Sequence, residues 1–274
     1  MPDRTDPPLA TGATAEVLAW KDGQVIKLFR ERASFHGHEL AATRAASASG
    51  LAVPAVIGGL VEVEDREGIV FERVDGPTMA GYVEDHPDEA VGCAVRMADL
   101  HAEIHRRDVS GIVELGQILT WAIDRADALA LDTRKAVLGI LDRLPGGSAL
   151  CHGDFHPHNI IMGASGPVAI DWAMGARGNA LADFARAWLI SRLWLSDVGS
   201  GKPKQCWKAF WPAYSRRYRD LIPCPDDELA DWRIVTAAAS LGLDGSLDWI
   251  QAATALRRDF VHAMLNDETH PWTA

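Results

Sequence analysis

The 274 residues could form one large domain or two of ordinary size, and a content of 48% hydrophobic and 24% charged residues is typical of a soluble globular protein. A net charge of −11 argues against nucleic acid as a partner, no apolar run approaches the roughly 20 residues that cross a bilayer, and the start of the chain lacks the basic-then-apolar pattern of a secretory signal. We therefore expect a cytoplasmic protein with neither a nucleic-acid nor a membrane partner.

The first part of the chain has the pattern of a small β-sheet with one helix. Strands are predicted over residues 15–20, 24–29, 53–63 and 69–74. Asp22-Gly23 between the first two strands is a strong hairpin signal, and the charged residues 64–68 form the predicted turn between the last two. The alanine-rich stretch in the middle predicts a helix from about Ser34 to Ser49, ended by Gly50.

After Asp75-Gly76-Pro77, which breaks this pattern, the chain is mostly helical. Apolar residues recur at helical spacing over residues 91–104, 117–131 and 133–144, and helices return from about residue 180. A short β segment is predicted over residues 149–170. The prediction is an α+β protein with a nucleotide-binding lobe at residues 1–75 and a larger helical lobe, catalytic and substrate-binding, at residues 76–274.

One stretch carries the residues best suited to chemistry, HGDFHPHN at 152–159 followed by IDW at 170–172. Residues 160–162 and 168–170 predict two short strands of a hairpin, which would return Asp171 close to Asn159. An amide oxygen and a carboxylate at the open end of a hairpin are hard ligands suited to Mg²⁺. Asp154 lies on the loop that enters the hairpin, where it can reach a metal-bound phosphate without being a ligand itself.

This arrangement meets the needs of phosphoryl transfer, which requires a metal to neutralise phosphate charge and a carboxylate to orient and deprotonate the attacking hydroxyl. The spacing from Asp154 to Asn159 is that of the kinase catalytic loop. Asp171 corresponds to the aspartate that opens the kinase D-F-G motif, with Trp172 and Ala173 in place of Phe-Gly.

These motifs resemble the signature of the aminoglycoside phosphotransferase and choline kinase-like family, as does GNALADFA at 178–185. The likeness covers about residues 12–185 and implies a protein-kinase-like two-lobe fold with a small antiparallel-sheet N-lobe. It also implies that Asp154 is the catalytic base, that Asn159 and Asp171 bind Mg²⁺, and that Asp183 supports the loop. The chain departs from the family pattern at His158, where glycine is usual, and at Ala180, where proline is usual.

The N-terminal half offers side chains for the nucleotide. Lys27 lies on a predicted strand, in Val-Ile-Lys, like the V-A-I-K lysine that pairs with ATP phosphates. Glu39, twelve residues later on the predicted helix, is the candidate to orient that lysine as a helix glutamate does in kinases; Glu31 is a competitor.

Two further nucleotide contacts are expected from the backbone. Gly12 and Ala13 precede the first strand and could cover the phosphates with their amides. Glu72 and Val74 fall just before Gly76-Pro77, where a kinase hinge offers backbone groups to adenine.

We therefore expect an enzyme that uses ATP (or GTP) and Mg²⁺ to phosphorylate a hydroxyl group of a small molecule. The motifs concern the nucleotide and not the acceptor, for which the family resemblance implies aminoglycosides, choline-like alcohols, sugars or homoserine. The negative net charge would suit a cationic acceptor, and acidic residues near the C-terminus such as Asp244 and Asp259 could bind amino groups. The sequence carries no signal for the oligomeric state.

Two other functions fit parts of the pattern. His152, His156 and His158, with Asp154 or Asp171, could hold zinc in a metal-dependent hydrolase, although this leaves Asn159 and Lys27 without a purpose. A catalytically inactive nucleotide-binding module of the same fold is the other alternative, and the presence of every reacting group opposes it.

Overall fold

The structure is a computed structural model that describes residues 7–12, 14–31, 36–196, 205–243 and 248–272. The N-terminal part of the chain forms a five-stranded antiparallel sheet of order β1-β2-β3-β5-β4 with one helix, α1, as predicted. Its elements are β1 (Ala10–Thr11), β2 (Ala15–Ala19), β3 (Gln24–Phe29), α1 (His36–Ala48), β4 (Val56–Val63) and β5 (Arg66–Glu72). The start of α1 predicted at Ser34 lies outside the described residues.

Helix α1 covers the sheet with one face. Its buried residues are His36, Glu39, Ala42, Thr43 and Ala46, a spacing of three and four that places them on one side of a helix. Two of these residues, Ala42 and Ala46, join the apolar core of the helical part, and Glu39 is the only carboxylate on that face of α1. Glu39 is therefore directed at β3 rather than at solvent.

Two predicted strand boundaries are wrong. Strand β4 begins at Val56 instead of residue 53, after Pro54, which has no N–H to donate to a sheet. The turn before β5 is shorter than residues 64–68, because Glu64 adopts a left-handed φ of 56° and Arg66 already pairs with Val63. The Arg66 guanidinium then donates to the carbonyl oxygens of Phe29 and Leu28, at 2.8 and 2.9 Å.

The rest of the chain is mainly helical. Its helices are α2 (Met79–Asp85), α3 (Ala90–His105), α4 (Leu115–Asp124), α5 (Leu131–Leu141), α6 (Ala180–Leu195), α7 (Gln205–Leu221), α8 (Asp226–Leu243) and α9 (Asp248–Leu265). Its strands are β6 (Ala149–Cys151), β7 (Ile160–Gly163), β8 (Gly166–Ala169) and β9 (Ala176–Gly178). Helix α4 ends earlier than the predicted residue 131, because the chain turns there and buries Ala126 and Leu129.

One large apolar core holds these helices together. Of the tryptophans whose burial the structure describes, six are buried in it, namely Trp172, Trp188, Trp207, Trp211, Trp232 and Trp272, as expected for large aromatic side chains in a core. Within the described residues, no helix combines the length and the apolar character that crossing a membrane would require.

The segment between the two halves is attached to the β7–β8 hairpin. The Met162 amide donates to the Pro77 carbonyl oxygen at 2.9 Å, and Thr78 bridges to Ile161. Gly76 has a φ of 144°, and a Cβ there would collide with the Met162 carbonyl, so only glycine fits. This attachment fixes the end of the sheet relative to the hairpin; a lobe boundary at residue 75 stays a prediction.

Candidate active site

The candidate site is built around the β7–β8 hairpin, whose register pairs Ile160 with Ala169. The Ile170 amide donates to the Asn159 carbonyl oxygen at 2.9 Å, so Asn159 and Asp171 lie at the open end of the hairpin, as predicted. Asp171 has a left-handed φ of 62°, a conformation that aspartate tolerates better than most residues. This left-handed conformation turns the chain away from the hairpin two residues after β8 ends.

Asp154 sits on the loop before this hairpin, among nitrogen donors. The Asn159 side-chain amide donates to the Asp154 carbonyl oxygen at 3.0 Å and lies 3.4 Å from Oδ2. His156 Nε2 is 3.3 Å from the same Oδ2, and Arg186 Nη2 is 3.7 Å from Oδ1. Burial alone would raise the pKa of Asp154, but His156 and Arg186 outweigh it and lower the pKa to about 2. The carboxylate is therefore ionised at neutral pH.

The side chains of Lys27, Glu39 and Asp171 form a second group, called here the Lys27 cluster. Lys27 Nζ donates to both Glu39 carboxylate oxygens at 2.8 and 2.9 Å, and to Asp171 Oδ1 at 2.8 Å. Burial alone would lower the pKa of Lys27, but the two carboxylates outweigh it and raise the pKa. Burial raises the pKa of Glu39 in spite of the ammonium group. The ammonium thus joins the sheet to the hairpin.

A third group, the Asp183 cluster, lies under the loop and consists of Asp183, His101, His105, Tyr214 and Tyr218. Asp183 accepts from the backbone amides that open the loop, those of residues 152 and 153, at 2.6 and 2.8 Å. Its Oδ2 lies 3.3 Å from His101 Nε2 and 3.1 Å from His105 Nε2. Each histidine Nδ1 meets a tyrosine hydroxyl, Tyr214 at 2.6 Å and Tyr218 at 2.5 Å.

Every member of this cluster is satisfied. Because an ionised carboxylate only accepts hydrogen bonds, each imidazole donates through Nε2 and accepts the tyrosine hydroxyl at Nδ1. Burial, with the neighbouring His105, lowers the pKa of His101 to about 3, which keeps that ring neutral. Three of these groups (His101, His105 and Asp183) are close enough to hold a metal ion, but their polar atoms are already paired. The cluster is a support for the loop.

The loop backbone is shaped for this support. Gly153 has a φ of 79°, and a Cβ on it would collide with the Met174 carbonyl oxygen. The buried His152 ring donates from Nε2 to the Ile170 carbonyl oxygen at 2.9 Å, which ties the loop to the end of the hairpin. His152 is thus a structural residue.

The sequence profile of the phosphotransferase enzyme family matches residues 8–220. The chain belongs to this family. The match confirms the predicted resemblance and the prediction of an enzyme that transfers phosphate. A search of curated proteins finds no match.

Solved structures of kinases share the fold of this phosphotransferase. A thermostable mutant of aminoglycoside phosphotransferase APH(4)-Ia, in a ternary complex with AMP-PNP and hygromycin B, is 15% identical with a TM-score of 0.66, over 95% of this chain and 92% of that one. A choline/ethanolamine kinase family protein from Mesorhizobium loti is 16% identical with a TM-score of 0.64, over 98% and 90%. Amicoumacin kinase hAmiN, in complex with AMP-PNP, Ca²⁺ and its antibiotic, is 15% identical with a TM-score of 0.59, over 97% and 90%. The predicted two-lobe, protein-kinase-like fold is confirmed.

The donor set at the hairpin of this phosphotransferase fits a divalent cation. The hydrogen bonds of Asn159 use its amide nitrogen, and its Oδ1 has no hydrogen-bond partner among the described residues. Asp171 uses Oδ1 for Lys27, and its side chain is 42% exposed, which leaves Oδ2 open to a ligand. Two hard oxygens with room for water are what Mg²⁺ prefers.

The backbone candidates lie at opposite ends of β3. Gly12 precedes the β2 residue Ala15, which pairs with Phe29 at one end of β3, whereas Glu72 pairs with Gln24 at the other end. Val74 follows β5 beyond that end. Lys27 lies between the two ends, a layout compatible with phosphates at the first and adenine at the second. Ala13 lies outside the described residues.

The histidine cluster required by the hydrolase alternative does not form. His152 bonds to a backbone carbonyl through Nε2, and no group of converging metal-ligand atoms among the described residues includes His156 or His158. Among the side chains that the structure describes, only His101, His105 and Asp183 converge like metal ligands.

A cavity of about 690 Å³ has a described lining that contains none of the candidate catalytic, metal-binding or nucleotide-binding residues. Its lining includes Glu114, Trp121, Asp124, Asp142 and Arg177. It opens at the Ala149–Gly178 end of the β6–β9 ribbon, whereas the loop to Asp154 leaves from the Cys151 end. The described lining of this cavity does not include Asp154, Asn159, Asp171 or Lys27, although Leu115 lines both this cavity and a smaller one beside Arg186.

Sequence reasoning missed Arg186 and the partners of Asp183. Arg186 follows Asp183 by one helical turn, and no local motif marks it. The pairs His101 with His105 and Tyr214 with Tyr218 are each spaced by four residues, which places both members on one helix face. That matched spacing was a usable signal, but pairing the two helices needs a contact across 113 residues.

Proposed function

We propose that this phosphotransferase moves the terminal phosphate of ATP (or GTP) to a hydroxyl group of a small molecule, with Mg²⁺ as the cofactor. The observation that carries the proposal is the Lys27 cluster. One ammonium group lies 2.8 Å from a helix glutamate, which is the pair that phosphate binding in kinases requires, and 2.8 Å from the hairpin aspartate, the residue proposed to hold the metal. Kinase structures of the same fold hold AMP-PNP, which supports a nucleotide as the phosphate donor.

In this proposal Lys27 binds phosphate oxygens of the nucleotide. Glu39 is nearly buried, with a side chain 3% exposed, and it holds the ammonium in place throughout. Asp171 is the exposed partner and gives up its contact with Lys27 when phosphate and metal enter. Backbone groups of Gly12 and Ala13 would cover the phosphates, and those of Glu72 and Val74 would bind the base.

Asp154 is the proposed catalytic base. Its carboxylate orients the acceptor hydroxyl for in-line attack and takes the proton as phosphate is transferred. A pKa of about 2 makes it a weak base, which suits a reaction that depends on positioning more than on proton abstraction.

Asn159 and Asp171 would hold Mg²⁺, which neutralises phosphate charge when it is bound. The proposal requires both residues, because Mg²⁺ is bound by few protein ligands. The Asn159 amide also contacts Asp154, so one side chain aligns the base with the metal side of the site.

The test is ADP release with Mg²⁺ across a panel of hydroxyl compounds. The panel contains hygromycin B and amicoumacin, which are bound in similar structures, together with choline, sugars and homoserine. We expect turnover that needs Mg²⁺, saturates with ATP and yields a phosphorylated acceptor by mass spectrometry. Nucleotide binding without turnover on the whole panel would favour an inactive module, and activity that follows bound zinc and ignores ATP would favour the hydrolase.

A further inference from the structure

The net charge of the chain suggests a cationic acceptor, but the charge next to the base has the opposite sign. Arg186 lies on α6, with a side chain 19% exposed, and its Nη2 is 3.7 Å from Asp154 Oδ1. Its Nε is buried and has no hydrogen-bond partner within the described ranges. The guanidinium therefore keeps unused donors directly beside the base.

The two oxygens of Asp154 face different neighbours. Oδ2 lies next to Asn159 and His156, on the side of the hairpin and its proposed metal. Oδ1 lies next to Arg186, on the side of α6. The nucleotide and metal occupy the first side in the proposed function, so the acceptor approaches along the second. Arg186 is thus on the acceptor side.

A second nitrogen at this place is also unsatisfied. His156 contacts Asp154 through Nε2, and its Nδ1 is buried without a partner in the described part of the chain. A buried Nε without a partner is shared by five arginines of the described part of the chain, so Arg186 is distinguished by its place 3.7 Å from the Asp154 carboxylate. Of the two unsatisfied atoms beside Asp154, the Arg186 Nε–H is a donor by its chemistry, so the guanidinium is the group that can bind an anionic acceptor.

Apart from Asp154, the described residues that line the cavity beside Arg186 offer no carboxylate that is free to bind an amine. This small cavity of about 30 Å³ is lined mainly by apolar side chains, among them Leu115, Met174 and Leu243. The carboxylate there is that of Asp183, and both its oxygens are occupied. The larger cavity near Glu114 is lined by Asp124 and Asp142 but also by Arg125 and Arg177, and Arg177 pairs with Glu114 at 2.7 Å. Asp259 is 58% exposed and pairs with Arg258, and Asp244 lies outside the described residues.

Distance limits how an acceptor could use Arg186. A hydroxyl bound to Asp154 lies about 3 Å from its carboxylate, so it lies within about 7 Å of a guanidinium that is 3.7 Å from the same carboxylate. An oxyanion two or three bonds from the hydroxyl can therefore accept hydrogen bonds from Arg186 while the hydroxyl stays on the base.

From these observations we infer that the acceptor carries an oxyanion, either a carboxylate or a phosphate ester, close to the reacting hydroxyl, and that Arg186 binds it. The inference rests on the proposed function and narrows its acceptor. Arginine suits this role because its planar fork matches an oxyanion with two parallel hydrogen bonds. The same guanidinium disfavours an ammonium group at that position.

The experiment uses hydroxyl compounds in matched sets of four: an acid, a phosphate ester, the amide of the acid and the corresponding amine. Binding to the Mg²⁺- and ADP-loaded protein is measured by ligand-observed NMR, and ADP release is measured for compounds that bind. We expect the acids or the phosphate esters to bind, and the comparison of these two arms identifies the oxyanion. Arg186→Met should weaken them about 10- to 100-fold and leave amides and amines within about twofold.

Two variants separate recognition from structure. Arg186→Lys keeps the charge without the fork and should recover part of the anion preference. Arg192→Met is the matched control, since Arg192 is on the same helix, also has a buried unpaired Nε among the described residues, and stacks on Trp188 at 5.5 Å. It should leave the ratio of acid to amide affinity unchanged.

Three results would overturn the inference: amines that bind best, a library with no anionic binder, or an Arg186→Met variant that weakens all four arms equally. The last would make Arg186 a support for Asp154 alone. The proposed function is tested independently by ATP binding and by its loss in Lys27→Met, so it survives if amines turn out to be the acceptors.

Discussion

The Lys27 cluster and the Asp183 cluster both contain a buried carboxylate, but they satisfy it in different ways. Glu39 is neutralised by one ammonium group, which also reaches the exposed Asp171. Asp183 is held by two backbone amides and two imidazoles, and these imidazoles are held in turn by tyrosines. The first cluster has a contact that a ligand can replace, whereas the second has none.

This difference assigns the two clusters different tasks. A surface-exposed ion pair contributes little to stability and is easily exchanged for another anion. A buried carboxylate with all its lone pairs used is costly to disturb. The protein thus binds ligand at the Lys27 cluster and holds the loop rigid at the Asp183 cluster, and Asp154 lies between them.

The largest effect is expected from Asp154→Asn. The amide cannot accept the hydroxyl proton, so kcat should fall about a thousandfold or more, whereas the Kd for ATP should change little because Lys27 is untouched. The rate of ADP release at saturating substrate measures kcat, and a titration with nucleotide measures the Kd. Asp142→Asn, at an exposed position outside both clusters, is the control. Near-normal turnover in Asp154→Asn would remove this residue from the mechanism.

The second largest effect is expected from Asp183→Asn, which should lower the free energy of unfolding. The amide brings two N–H donors to a place that already supplies four, so donors would face donors. We expect a loss of about 2–4 kcal/mol in the free energy of unfolding, measured by urea denaturation. A loss below about 1 kcal/mol would mean that the Asp183 cluster does not hold the loop in place.

The sequence was sufficient for the groups that meet over short distances or in a known order. The 152–159 motif and the hairpin after it predicted the proximity of Asn159 and Asp171, and the strand lysine with a helix glutamate predicted the pair Lys27 and Glu39. These contacts follow from one hairpin and one strand–helix unit.

The missed contacts depend on packing between distant helices. Tyr214 reaches His101 from a helix more than a hundred residues away, and the position of Arg186 beside Asp154 depends on how α6 crosses the loop. Helical periodicity predicts which face is buried, but it does not predict which helix covers that face. The polar partners of a buried residue follow only from that choice.

Asp171→Asn is the matched change in the Lys27 cluster and should hardly affect stability. The Asp171 side chain is 42% exposed, so the free energy of unfolding should change by less than about 1 kcal/mol. ATP affinity in the presence of Mg²⁺ should fall at least about tenfold, and its dependence on Mg²⁺ should largely disappear, as measured by calorimetry with and without the metal. A loss of stability equal to that of Asp183→Asn would erase the distinction between the clusters.

The smallest effect is a difference in acid stability. Burial alone would raise the pKa of Asp183, but hydrogen bonds from His101 and His105 outweigh it and hold the pKa well below its usual range. A depressed pKa in the folded state means that Asp183 contributes stability above the unfolded value of about 3.9, and that this contribution is lost as the pH falls toward the folded value.

The unfolding free energy of the natural protein should therefore decrease on going from about pH 5 to pH 3, and that of Asp183→Asn should decrease less over the same range. Urea titrations at several pH values give both slopes. Asp142→Asn, at an exposed position outside both clusters, is measured in parallel as the control. Parallel slopes for the natural protein and Asp183→Asn would mean that the fold does not stabilise Asp183 as an anion. The two imidazoles and two backbone amides would then surround a neutral carboxylic acid.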